Sequence, residues 1–134
     1  MSNQAAIIAS LEQLAEAGMD ITPAVYRAFF AHCPTAQTLF ASQEARAVQG
    51  KMVNELVQTV LDRLDGKPYS ATLVATMVSD HNSWGVTLPM YDAFLVAFAE
   101  ALADALGAGA NPALMPAWRD ELGSLREQIA AQLT

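Results

Sequence analysis

Apolar residues return every three or four positions along almost the whole chain, and no stretch alternates apolar and polar between turns. A half-buried strand needs that alternation, and an amphipathic helix needs the longer period. The chain therefore reads as all-α. Ile7, Leu11, Leu14 and Ala15 share one face of a first helix over about 4–17, stopped by Gly18. "DITPAVYRAFFAHCP" opens a second, with Thr22 as cap and Pro23 in the first turn, where a missing N–H costs nothing. Pro34 ends it and starts a short helix through "PTAQTLF". One long helix over about 42–64 follows, striped by Val48, Met52, Val53, Leu56, Val57, Val60 and Leu64. No separate helix is expected in "ASQEARAVQ". Ser70 begins the next, with Leu73, Met77 and His81 four apart on one face, and "NSWG" breaks it. Thr87 caps a helix running to Leu106, and the last starts near Pro112 and carries Trp118, Leu122, Leu125 and Ile129. A short loop, "GAGANP", joins these two long helices, so they should pack antiparallel.

The length, 134 residues, suits a single domain over 1–134. Hydrophobic residues are 53% and charged ones 16%, enough for a sizeable core and too apolar for a disordered chain. A net charge of −7 argues against nucleic acid and against an anionic membrane surface, since both are bound through Lys and Arg. Cys33 is the one cysteine, so no internal disulfide and no paired-cysteine metal or redox motif can form. The N-terminus lacks a basic start and carries Glu12 and Glu16, unlike a signal peptide. No apolar run reaches the roughly 18 residues of a membrane span. Cytoplasm is the expected compartment.

His81 is one of two histidines. Most lone histidines on apolar helix faces are structural, but Leu73 and Met77 lay an apolar floor one and two turns before this one, and the helix stops just after it. Neither a cysteine nor another histidine lies close in sequence, so a zinc site with several such ligands is hard to build. One neutral imidazole suffices when most of the binding free energy comes from elsewhere. Haem meets that condition, because the porphyrin brings four nitrogens and a large apolar surface. A backbone carbonyl near Met77 is the natural acceptor for the second ring N–H.

Two segments then carry a resemblance. "ITPAVYRAFFAHCPTAQTLF" is similar to the second helix and following turn of the globins. "DHNSWGVTLPMYDAFLVAFAEAL" is similar to their proximal segment, in which a tyrosine stands ten residues past the histidine, here Tyr91. The chain most resembles bacterial single-domain globins and the globin part of flavohaemoglobins, from about Ile21 to Leu106 and more weakly beyond. The resemblance implies a three-over-three globin fold and one haem b. It puts His81 at the iron ligand, Phe40 against the haem face and Tyr26 at the distal tyrosine that bonds the gas ligand. Gln49 falls at the distal polar position if one gap is allowed, with Val53 one turn later; without the gap Gly50 falls there. Met77 reads as core or haem wall.

The implied activity is reversible binding of oxygen or another diatomic gas. As an enzyme, the chain would be at most a nitric oxide dioxygenase served by a separate reductase, since it ends at Thr134 with no flavin domain. Two departures weaken the implied push of electron density to iron. Glu127 lies too early in the last helix to join Tyr91, and Asp80 precedes the histidine where a basic residue is common. A regulatory or sensor module of globin fold, binding no haem or another tetrapyrrole and acting through protein partners, is the rival reading. Among other residues, His32 is expected at the surface, Cys33 half-buried, Trp118 in the core, and Trp84 at the haem edge or as a core lid. Monomer and homodimer both fit, the last two helices being a candidate surface on which no exposed apolar stripe is legible.

Overall fold

In the computed structural model, residues 2–107 and 111–133 are described. Residues 108–110 of the expected glycine-rich loop lie outside them. The order is α1 (Asn3–Glu16), α2 (Thr22–His32), a 3-10 helix (Pro34–Phe40), α3 (Gln43–Ala47), α4 (Gln49–Leu64), α5 (Ser70–Ser83), α6 (Leu88–Leu106) and α7 (Leu114–Gln132). No strand occurs among the described residues. No single helix among them is long and apolar enough to cross a membrane.

Boundaries follow local chemistry. Ser2 caps α1 by accepting from the Ala5 N–H, and Gly18 then turns the chain at φ +64°. At α2 the expectation of a Thr22 cap is corrected. Ile21 already holds a helical backbone and Thr22 is the first helical residue. Its N–H donates to Asp20 Oδ1 at 3.0 Å, so the charged acceptor two residues upstream takes the role. Hydrogen bonds from the Thr22 backbone and then its side chain hold the Asp20 carboxyl below its ordinary 3.8. That small contribution is present above pH 3.8 and is lost as pH falls through the lowered value.

The single helix expected over 42–64 is two. Ser42 caps a short α3 by accepting from the Ala45 N–H, and Val48 (φ −92°, ψ 0°) turns the chain into α4. The reason is packing. Val53, Leu56 and Val60 hold α4 in the core, whereas α3 buries no residue that could keep it on the same axis.

Helices α6 and α7 run antiparallel, as expected. Asp92 near the start of α6 pairs with Arg126 late in α7, and Phe98 further along meets Trp118 earlier in α7. Trp118 is fully buried and donates from Nε1 to Ser10 Oγ at 2.8 Å, while Ser10 donates to the Ile7 carbonyl at 2.7 Å. This chain of hydrogen bonds pins α1 to α7 inside the core. Ser10→Ala leaves a buried indole N–H with nothing to bond, and a loss of about 1–3 kcal/mol is expected in urea unfolding. An unchanged midpoint would show that the indole finds another acceptor.

Candidate functional site

Helix α5 presents His81 through a local bond. Its Nδ1 lies 2.7 Å from the Met77 carbonyl oxygen one turn back. A carbonyl only accepts, so Nδ1 carries a proton, and in the neutral tautomer that this selects, the lone pair lies on Nε2. Nε2 has no hydrogen-bond partner among the described residues. Two rings flank the imidazole: Trp84 at 5.2 Å and Tyr91 at 6.1 Å. Trp84 is 64% exposed, so it edges the histidine rather than lidding the core.

The shared face expected for Leu73, Met77 and His81 needs correcting in one respect. It is Val74 and Val78 that enter the protein core. Met77 and His81 are half-buried, and Leu73 is 51% exposed. The helix rolls to bury its β-branched residues, which leaves Leu73 exposed and Met77 packed at the edge of the core.

Tyr91 is buried behind the imidazole, and its hydroxyl has no hydrogen-bond partner among the described residues. Glu127 does not serve it, being exposed and paired with Arg126 at 3.3 Å. Burial pushes the Tyr91 phenol up to about 12.

A second group gathers around Tyr26. The buried Tyr26 ring meets Phe40 at 5.2 Å, Phe94 at 5.7 Å and Phe30 at 5.9 Å, mostly edge to face. Its hydroxyl donates to Met52 Sδ at 3.5 Å, a weak acceptor. Burial raises its pKa well above the ordinary 10.0. Phe40 and Val53 are buried beside this cluster in the same core. Gln49 begins α4, half-buried, and makes no side-chain hydrogen bond among the described residues. Gly50 is half-buried too, with open space where a Cβ would stand. Val53 and Leu56 are buried and Val57 packs on the core.

Helix α6 joins the two groups, because Tyr91 faces His81 and Phe94, nearly one turn on, faces Tyr26. Sequence reasoning missed Phe94, although its three-residue spacing from Tyr91 is a usable signal. It missed Met52 as the tyrosine's partner, and nothing in the sequence marks that contact. His32 is exposed, as expected, and its Nε2 lies 2.8 Å from Glu100, away from both groups. Cys33 is half-buried.

Both raised tyrosine values have the same sign. The fold holds the neutral phenols, so their contribution is full below pH 10.0 and fades as pH rises, through about 12 for Tyr91. Phenolate absorbance of these two is expected to appear only above pH 10, together with loss of helix signal. Their titration at the ordinary value in folded protein would contradict the burial.

No group of three or more His, Cys, Asp or Glu side chains that could hold a metal ion exists among the described residues. A family model described as Globin matches residues 23–129, well over half of the chain. The chain belongs to the globin family. Its helices carry the all-α globin fold, and the family binds haem and gaseous ligands such as oxygen. A search of curated proteins finds no match. The residues of this globin suit a haem. Among the described residues, one imidazole has an Nε2 with no hydrogen-bond partner, Leu73 two turns before it is exposed, and two buried phenols have a weak hydrogen-bond partner or none.

Proposed function

We propose that this globin holds one haem b through His81 Nε2 and reversibly binds oxygen or another diatomic gas. One observation carries the reading: the Met77 carbonyl occupies Nδ1 of His81 and so leaves Nε2 as the ligating atom, with no hydrogen-bond partner among the described residues. When bound, the haem supplies the iron at which the gas is held. His81 fixes the ring orientation of that ligation through its bond along α5. Leu73 and Met77 offer apolar surface to the porphyrin, and Phe40 and Val53 exclude water from the inner side. Tyr26 supplies a hydroxyl donor that a partly negative gas ligand draws away from Met52 Sδ, since a thioether is the poorer acceptor. Gln49 adds an amide whose hydrogen-bonding capacity is unused by the described residues.

On the proximal side, the Tyr91 hydroxyl meets no carboxylate among the described residues. The residues thus favour holding a gas over oxidative chemistry, which needs a strong push to iron. Nitric oxide dioxygenation with electrons from a separate reductase is the enzyme version of the same site. Hemin titrated into the purified chain is expected to saturate at one equivalent with a sharp Soret band, and the reduced protein to give reversible oxygen and carbon monoxide spectra. A broad band like that of free hemin, rising without saturation, would sink the proposal and leave a globin fold acting without haem.

A further inference from the structure

A groove of about 710 Å³ runs between α6 and α7 on the face away from His81 and Tyr26. Its floor is apolar and low. Ala99, Ala103 and Gly123 line it, and Val96 stands in it 48% exposed. A Cβ built on Gly123 meets nothing within 4 Å, so the space above the floor is open. The two lips carry opposite charge. Asp92, Glu100 and Asp104 stand on α6, and Arg119 and Arg126 on α7. Arg119 is exposed and has no ion-pair or hydrogen-bond partner among the described residues.

This arrangement is complementary to itself. The contacts Asp92–Arg126 and Phe98–Trp118 set the heights of the antiparallel pair. By that register Arg119 stands level with the stretch of α6 just before Glu100. A two-fold axis along the groove lays each α7 on the partner's α6 at equal height. It sets Arg119 of one copy beside Glu100 of the other, a carboxylate that His32 already holds at 2.8 Å within its own chain, and brings the Asp92–Arg126 pairs of the two copies together. A two-fold axis across the groove lays α6 on α6, and the three carboxylates of each copy then meet like charges. Charge therefore selects the first arrangement, and the small residues of the floor let the helices approach closely.

We infer that the α6–α7 groove is the seat of a second copy of this chain, in a two-fold dimer whose basic α7 lip pairs with the partner's acidic α6 lip. The inference stands apart from the haem reading, because none of the groove residues belongs to the proposed haem site. Sedimentation velocity of the purified whole chain, with and without added hemin, tests it over a wide concentration range. Wild type is expected to approach twice 14.3 kDa as concentration rises. Arg119→Glu and Glu100→Arg each put like charges face to face and should weaken the dimer about tenfold or more. The combined Arg119→Glu/Glu100→Arg chain restores opposite charges and should recover it. Val96→Glu puts a charge on the apolar floor and should leave monomer. These positions are exposed, so circular dichroism should be unchanged in all four. A wild type that stays monomeric throughout overturns the inference. So does a dimer that the single reversals leave intact, or one that the double reversal fails to restore.

Discussion

His81→Ala is expected to abolish the sharp Soret band while leaving the helices of the globin intact. The ring is half-buried, and its one hydrogen bond stays within its own helix, to Met77. Alanine is the better helix former, so α5 loses little by the change. Hemin affinity should suffer far more. Disturbing only the partners of a metal ligand costs about 10–100-fold in affinity, and removing the ligand itself should exceed that. The cavity left beside Trp84 and Tyr91 has room for a small base. Imidazole added to the buffer is expected to restore much of the band in His81→Ala. That rescue separates a lost ligand from a damaged fold. An unchanged spectrum in the variant would move ligation elsewhere, and His32, held by Glu100, is the one other imidazole in the chain.

The periodicity of the sequence made the helices legible because apolar stripes are set by burial, and burial is what the fold optimises. Helix α6 begins at Leu88, just after Thr87, and ends at Leu106 as expected, although Thr87 makes no side-chain capping hydrogen bond. The bond from His81 to a carbonyl near Met77 was legible for a geometric reason: four residues are one helical turn. Where the reading failed, the deciding force was not periodic. Nothing in the stripe from Val48 to Leu64 reveals that α3 buries no residue and so turns away from α4. Thr22 is a better cap by type than by position, and the carboxylate of Asp20 outcompeted it locally. The roll of α5 that leaves Leu73 outside and takes Val74 and Val78 inside is a tertiary choice between two adjacent faces, both apolar. The groove between α6 and α7 was illegible for a related reason. Its apolar part is made of alanine and glycine, which no hydrophobic stripe would mark. Its charges become a pattern only when the two helices lie side by side.

Tyr26→Phe is expected to speed oxygen release from the reconstituted globin about ten- to hundredfold, with little change in hemin uptake. The range follows from the bond at stake. A hydrogen bond to a charged or strongly polarised group contributes about 1.5–3 kcal/mol, and each 1.4 kcal/mol is about tenfold in an equilibrium. The substitution keeps the ring and hence its packing against Phe30, Phe40 and Phe94. In the gas-free protein it removes only the contact to Met52 Sδ, a weak acceptor at 3.5 Å. Carbon monoxide supplies the contrast. It carries less negative charge when held, so its release should change much less than that of oxygen. A structural disturbance of the pocket would move both gases together, whereas loss of a donor moves oxygen alone. Equal release rates in wild type and Tyr26→Phe would show that the hydroxyl stays on Met52, and the distal donor would then have to be Gln49. Gln49→Ala in the Tyr26→Phe background would decide that directly, because oxygen affinity should then fall only with the second change.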